Sequence, residues 1–397
     1  MTSVVARSVA LLGWACIGSV ILLTGCADAS YYLQSAQGHV ALMRVAKPVD
    51  DWIADPQTPA ELKARLALSQ QIRRFAVTDL GLPDNASYHR YADLQRRAVV
   101  WNVVAAPELS LTLKTWCFPV MGCVGYRGYF EEAQARALAA ELSAQGLEVS
   151  VYGVPAYSTL GWMNWAGGDP LLNTFINYPS GELARLIFHE LAHQVVYAKD
   201  DTTFNESFAT AVERLGGARW LQSHAGVQGL AALEAGAIRR AQFRALTLAT
   251  RQALTRIYET KDPEVPVNTD KFAMKKIAFE KFKSDYAQLK ASWLGASNGT
   301  ADTDPPAHAA HAAQFRGFDD WVAKANNASF GAQAAYDELV PEFEALFAQS
   351  AQQPGPPWQR FYDAVKQLAD LPKAQRRQVL KDQTRIYLTT QQETSGG

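Results

Sequence analysis

The sequence has no excess of either charge: 38 lysine and arginine residues stand against 39 aspartate and glutamate residues in a chain of 397. It therefore lacks the surplus that would indicate nucleic acid or a strongly charged surface as a partner. There is no repeat of fixed period, which excludes a solenoid array. After residue 25, no apolar run is long enough to span a bilayer. The apolar share of 48% is that of an ordinary globular protein, so we expect a large core in one or two domains.

Cysteine is scarce, with 4 residues in the whole chain. Two of them, Cys16 and Cys26, lie at the N-terminus, so only Cys117 and Cys123 belong to the globular body. In an oxidising compartment this pair should form a disulfide that closes a small loop. The alternative is a pair of buried free thiols.

Residues 1–25 have the character of an export signal, since Arg7 is the only charge before an uncharged run from Ser8 to Gly25. The run ends in Leu-Thr-Gly before Cys26, which resembles the lipobox of bacterial lipoproteins and predicts cleavage and acylation at that cysteine. The alternative is an uncleaved transmembrane anchor. Either way we expect a lipid- or helix-anchored, periplasm-facing body in the cell envelope. Asp28 does not directly follow Cys26, which favours the outer membrane; the mass of the mature N-terminal peptide tests the acylation.

The most informative stretch contains His189-Glu190-x-x-His193. On a helix, positions four apart lie on the same face, so both imidazoles can reach one ion. Glu190 then stands beside that ion, where a carboxylate can take a proton from a metal-bound water. The surrounding apolar residues predict a buried helix, in which these polar groups are costly unless a metal satisfies them. The alternative is a chance match with two hydrogen-bonded core histidines.

A catalytic zinc site needs a third protein ligand and an open position for water. Glu206 follows Asn205 near the start of a second predicted helix, thirteen positions after His193. Glu213 lies seven positions beyond Glu206 and shares its helical face. Spacing alone leaves both glutamates open as the third ligand.

An HExxH pair with a downstream Asn-Glu resembles the gluzincin metallopeptidases, which include thermolysin and the zinc aminopeptidases. This resemblance implies that Glu206 is the third zinc ligand, which leaves Glu213 to hold a ligand histidine or Arg185. More specifically, the chain resembles the bacterial family of predicted aminopeptidases. The matching segments span most of the mature chain: Tyr31–Gln34, Trp116–Phe130, Tyr157–Trp162 and Asn326–Ala328. The family implies peptide hydrolysis with Zn²⁺ as the cofactor, one ion per chain.

We predict an α+β fold that is mostly helical, with a small sheet before the HExxH helix and a helical C-terminal half that closes the cleft. The expected strands include Val99–Val104, Leu109–Leu113 and Val149–Tyr152, and a last strand within Asp169–Asn177 precedes the HExxH helix. The helix that bears Glu206 should stop at Gly216-Gly217, and the tail from Thr389 should be frayed. Later helices are predicted at Ala231–Tyr258, Lys271–Leu294, Asp337–Phe347 and Trp358–Leu368. The expected parts are a signal peptide at 1–25, a catalytic region at 26–220 and a helical region at 221–390.

The predicted activity is that of a zinc peptidase, in the first place an aminopeptidase. The resemblance places a substrate-pairing edge strand at Tyr157–Trp162; a loop that covers the core is the alternative. Tyr157 and Tyr336 are the candidate donors to the transition state. Because no motif for anchoring a free amino terminus is present, an endopeptidase or a cell-wall amidase stays open. A non-catalytic lipoprotein with a structural zinc is the other alternative, but such a site would not need Glu190.

Overall fold

The computed structural model describes residues 30–118, 122–161, 163–224, 227–259, 269–296 and 315–395. The predicted export signal and Cys26 lie outside these residues and stay predictions. Within the described ranges, no helix has the length and apolar character needed to cross a membrane.

Three helices and a small sheet form the N-terminal part. Helix α1 spans residues 30–45, and α2 (Val49–Ala54) and α3 (Ala60–Thr78) follow. Strands β1 (Lys47–Pro48), β2 (Arg90–Ala92) and β8 (Leu171–Leu172) pair in the order β1-β2-β8, with β2 and β8 parallel. Helix α3 buries the face that carries Leu66, Ile72 and Phe75 in the main core.

The central sheet is antiparallel, with β3 (Val100–Pro107) between β6 (Arg127–Tyr129) and β7 (Leu147–Val154). Helix α4 (Glu132–Ala144) packs against β3 and β7. The predicted strands at Val99–Val104 and Val149–Tyr152 are thus confirmed; β3 extends three residues beyond the predicted end, and β7 extends two residues beyond each predicted end. The predicted strand at Leu109–Leu113 is wrong. Leu111 instead packs against one hydrophobic cluster and Leu113 against another. The alternating apolar residues therefore belong to a linker between two clusters and not to a strand.

A disulfide-linked hairpin precedes the central sheet's edge strand. Strands β4 (Trp116–Phe118) and β5 (Gly122–Val124) pair so that Cys117 lies opposite Cys123. The two cysteines form a disulfide, as predicted. Oxidised thiols fit the export that the N-terminus predicts.

The HExxH sequence forms α5 (Ser180–His193), and α6 (Thr202–His224) packs along it. The prediction that α6 stops at Gly216-Gly217 is wrong, because the helix continues to His224. A Cβ at Gly216 would lie 2.7 Å from Leu80, and one at Gly217 would lie 2.5 Å from the side chain of Arg185. These glycines therefore let α6 approach α5 closely and are not termination signals.

The C-terminal half is helical. It consists of α7 (Val227–Glu259), α8 (Thr269–Ala296), α9 (Arg316–Ala323), α10 (Asn327–Asp337), α11 (Val340–Ala351), α12 (Pro357–Ala369) and α13 (Lys373–Ser395). The two long helices and the helix at Trp358–Leu368 are confirmed, and the apolar stripe of the latter is buried. The predicted helix at Asp337–Phe347 is confirmed from Val340 onward, whereas Asp337 is the last residue of α10. The frayed tail from Thr389 is wrong, since α13 runs to Ser395.

The fold class is confirmed as mostly helical α+β. The main core joins α1–α3, α5, α6 and α11–α13, whereas α7–α9 and Phe330 of α10 enclose a second aromatic cluster. Helix α10 connects the second cluster to the central sheet. Its Asn327 Nδ2 donates to the backbone oxygens of Pro107 and Glu108 at the end of β3, at 3.1 and 2.9 Å. The division near residue 220 stays a prediction.

Candidate metal centre and its cleft

Helix α5 brings the two histidines of the motif together. Its opposite face buries Leu183, Ile187 and Leu191, which fixes the rotation of the helix against the main core. His189 and His193 therefore lie one turn apart on the other face, and their Nε2 atoms are 3.2 Å apart. Two unprotonated ring nitrogens at this distance repel each other unless a proton or a cation lies between them.

Helix α6 supplies the third donor. Glu206 Oε2 lies 3.3 Å from Nε2 of His189 and 3.6 Å from Nε2 of His193. The connection between the helices is short because Asn205 clamps it: its side chain donates to the oxygen of Ala198 at 2.8 Å and accepts from the nitrogen of Ala198 at 2.7 Å. In the Asn-Glu pair, the asparagine thus fixes the turn that delivers the glutamate.

The three donor atoms fit one zinc ion. With Zn–N and Zn–O bonds of about 2.0–2.1 Å, two ligands at a tetrahedral angle lie about 3.3–3.4 Å apart. The observed separations of 3.2, 3.3 and 3.6 Å are close to those edges. In the described part of the chain, His189, His193 and Glu206 form the group of side chains with the spacing for a metal ion. The ligand roles themselves stay a prediction.

The charges of the site favour a cation. Burial alone would raise the pKa of Glu206, but His193 and His189 outweigh it and hold that pKa well below its usual range. Burial acts to lower the pKa of His189, yet its hydrogen bonds to Glu206 and Glu213 raise the pKa well above the ordinary value. The pKa of His189 is thus shifted in the direction expected for an imidazole placed between two carboxylates, a position in which a metal ion competes with a proton.

Glu213 supports His189 from behind. Its Oε2 lies 3.1 Å from Nδ1 of His189, on the side of the ring away from Glu206. Its other oxygen accepts a hydrogen bond from Arg185, which also pairs with Glu182. A carboxylate at this position fixes the orientation of the imidazole and makes it a better metal ligand.

A buried polar network anchors the end of α5. Gln194, which follows His193, accepts a hydrogen bond from Asn85 at 2.7 Å and donates to Ser87 at 3.1 Å and to Asp169 at 3.3 Å. Asp169 is 1% exposed. It also accepts from the backbone and hydroxyl of Thr159, at 3.0 and 2.7 Å. The network therefore ties the loop at 155–161 to the C-terminal end of α5.

Asp169 should make stability depend on pH. Burial raises its pKa from 3.8 to about 6, so the folded state binds this proton more tightly than the unfolded state. The resulting stabilisation is present below about pH 4 and is lost as the pH rises through about 6. Compared with Asp169→Asn, the parent should lose roughly 1–3 kcal/mol between pH 4 and 7. Urea unfolding of both proteins in chelator measures this, and a difference independent of pH would contradict it.

A cavity of about 490 Å³ opens beside the metal centre and reaches Glu190, His189 and His193. Both predicted tyrosines line it. Tyr336 lies near the C-terminal end of α10, and its ring stacks on that of His189 with centroids 6.3 Å apart. Tyr157 packs instead against His39 and Phe130, at 5.8 and 5.3 Å. Tyr336 is thus the tyrosine whose ring contacts His189.

The prediction of an edge strand at Tyr157–Trp162 is wrong for the described part of that segment. Residues 155–161 form a loop, and Trp162 lies outside the described residues. The nitrogen of Thr159 donates to Asp169 and Leu160 has a left-handed backbone; neither feature belongs to a regular strand. The loop alternative, with aromatic side chains over the core, describes it better.

Sequence reasoning missed two groups of site residues. One group is the hydrogen-bonded network that joins distant segments of the chain: Asn85, Ser87, Asp169 and Gln194. In the sequence, the only indication of this network is that Gln194 directly follows His193. The other group consists of cavity-lining aromatic residues: Tyr32, Phe118, Tyr126, Phe130 and Tyr197. Several of these belong to the segments that carry the family resemblance, which is the signal that could have identified them.

A family model described as "Putative aminopeptidase" matches residues 30–380, nearly the whole of the described chain. The chain belongs to the putative aminopeptidase family. The match includes the HExxH helix, Glu206, Glu213 and Tyr336, so membership in this family supports a peptidase that acts on peptides. Searches among curated proteins and among solved structures each returned no match.

Proposed function

We propose that the chain is a zinc-dependent peptidase in which His189, His193 and Glu206 hold one zinc ion and Glu190 is the general base. The observation that carries the proposal is the set of three donor atoms at 3.2, 3.3 and 3.6 Å, with Glu190 lining the adjoining cavity. A zinc ion bound there would lower the pKa of a coordinated water towards neutrality and polarise the substrate carbonyl.

Glu190 is suited to move the proton. Burial raises the pKa of its carboxyl, which the neighbouring His189 and His193 lower only in part. A carboxylate whose pKa lies closer to neutrality is a more effective base. As the water oxygen bonds to the carbonyl carbon, Glu190 takes the proton of the water. When the C–N bond breaks, Glu190 returns that proton to the leaving amine.

Tyr336 is the proposed donor to the developing oxyanion. The charge of Glu206 and burial raise its pKa well above the ordinary value, so its hydroxyl keeps a proton to donate. Its ring already stacks on the ligand His189. Tyr157 packs against His39 and Phe130 and is better explained as part of the cavity wall. A preorganised donor of this kind is worth about 10²–10³-fold in turnover.

The cavity distinguishes this proposal from a purely structural zinc site. Structural sites surround the ion with four protein ligands, whereas catalytic sites supply three and leave a position open. The present cluster has three donors and borders a cavity of about 490 Å³. That arrangement leaves room for water and for a substrate.

Purified protein tests the function directly. Hydrolysis of amino-acid amides and of longer peptides should stop when a chelator removes the metal and return when about one equivalent of zinc is added. The cleavage products are identified by mass spectrometry. Hydrolysis that persists without metal, or zinc-loaded protein that cleaves no peptide, would contradict the proposal.

A further inference from the structure

The cavity beside the metal centre has apolar and aromatic walls. Helix α1 contributes Tyr31 and Tyr32, the disulfide hairpin contributes Phe118, and the loop at 155–161 contributes Tyr157 and Leu160. The central sheet adds Val100 and Val154. Surfaces of this kind bind side chains by removing apolar area from water, with a few polar groups to fix orientation.

Few of the described residues in these walls are charged. Among the described residues that line the cavity, the carboxylates are Glu190 and Glu206, and there is no lysine or arginine. Both carboxylates already have roles in the proposed mechanism. Asp169 is close by, but its oxygens accept hydrogen bonds from Thr159 and Gln194. A free α-ammonium group entering this cavity would therefore lose its hydration without gaining an anionic partner, which is costly.

Leu160 is held in the cavity wall at a cost in backbone energy. Its φ is +55°, a left-handed conformation that side chains other than glycine, asparagine and aspartate seldom adopt. The conformation persists because Thr159 is bonded to the buried Asp169, and the nitrogen of Leu160 donates to Ser158 Oγ at 3.2 Å. Strained residues that the surrounding structure holds in place are concentrated at functional sites.

We infer that the cleft accepts an internal or amine-blocked peptide segment with a bulky apolar side chain, and that Leu160 determines this specificity. The inference rests on the proposed function and narrows it, since it favours cleavage within a chain over removal of a free N-terminal residue. Its physical basis is that the carboxylates among the described lining residues, Glu190 and Glu206, already have roles in the proposed mechanism, so the remaining walls suit an uncharged substrate segment.

A peptide panel tests the substrate class. The peptides share one alanine-based sequence with a central phenylalanine, lysine or aspartate, and each is made with an acetylated and with a free N-terminus. The acetylated phenylalanine peptide should be cleaved beside the phenylalanine, with kcat/KM at least about tenfold above the charged peptides. The free amine should give no advantage. Stepwise removal of residues from free amino ends only, or a preference for the charged peptides, would overturn the inference while leaving the proposed function intact.

Leu160→Gly tests the specificity residue, because glycine relieves the positive φ while removing the apolar side chain. The matched control is Gln95→Gly, at an exposed residue with a φ of +52°. Neither variant should lower the melting temperature. Leu160→Gly should reduce kcat/KM for the phenylalanine peptide about tenfold, and the control should match the parent. Equal kinetics for the two variants would exclude Leu160 as a determinant.

A binding measurement separates failure of the inference from failure of the proposed function. The acetylated phenylalanine peptide is titrated into zinc-loaded Glu190→Gln, in which the chemical step is blocked. It should bind at least about tenfold more tightly than the lysine peptide, and Leu160→Gly should remove that preference. If the parent cleaves nothing but this preference is present, the peptidase proposal fails and the binding specificity stands. If binding shows no preference, the inference fails.

Discussion

Glu190→Gln should retain zinc and lose turnover by about 10²–10⁴-fold, the usual contribution of a positioned general base. The substitution keeps the size and shape of the side chain but removes its ability to take a proton. It leaves the three proposed ligand side chains unchanged. Because burial makes the charged form of Glu190 unfavourable, the neutral amide should also leave the fold at least as stable. Zinc content by metal analysis and kcat on the best peptide measure the two effects separately.

Glu141→Gln is the matched control, since Glu141 is an exposed carboxylate on α4 that does not line the cavity beside the metal centre. It should retain parental zinc and turnover. Glu190→Gln that is as active as this control would mean that another group is the base. Loss of zinc in Glu190→Gln would instead give Glu190 a structural role.

The sequence predicted best what depends on neighbouring residues in one helix. His189 and His193 converge because four positions make about one turn of α5, and no distant contact is needed for that. The disulfide between Cys117 and Cys123 was also predictable, because the two cysteines are close in the sequence. The strands at β3 and β7 followed from short runs of β-branched residues.

Predictions failed where the same local sequence pattern is compatible with two different structures. Gly216 and Gly217 have the composition of a helix end, but here they let α6 pack against Leu80 and Arg185. Leu111 and Leu113 alternate as in a strand, yet each packs into a different cluster. The pattern shows where the glycines and leucines are, but not which other element of the fold packs against them, and that packing determines their structural role.

The rest of the site depends on contacts between distant segments. Asp169 meets Gln194 across 25 positions, and Asn85 meets Gln194 across 109. Tyr336 contacts His189 from α10, a helix whose first residue, Asn327, is hydrogen-bonded to the end of β3. Neither spacing nor periodicity encodes such pairings. They explain why Tyr157 and Tyr336 were equivalent candidates in the sequence and differ in the structure.

Alanine substitutions at Glu206 and at Glu213 should lower the affinity for zinc to different extents. Glu206 Oε2 lies within 3.6 Å of both histidine Nε2 atoms. Glu213 is about 10 Å further along α6 at 1.5 Å per residue, and it contacts Nδ1 on the far side of His189. One ion cannot be bound directly by both carboxylates. Glu206→Ala should therefore abolish stoichiometric zinc, whereas Glu213→Ala should weaken binding by about 10–100-fold.

A zinc titration against a competing chromophoric chelator measures both variants on one scale. Unfolding curves of the metal-free proteins provide the control for the fold, because a variant that does not fold would lose zinc for an unrelated reason. Glu213→Gln adds a second test: it keeps the length of the side chain and one oxygen for His189 Nδ1, so it should bind zinc more tightly than Glu213→Ala. If Glu213→Ala abolishes zinc while Glu206→Ala only weakens it, the ligand role passes to Glu213. The connection between α5 and α6 would then have to rearrange when the metal binds. In the present structure the hydrogen bonds of Asn205 hold that connection so that Glu206, and not Glu213, lies beside both Nε2 atoms.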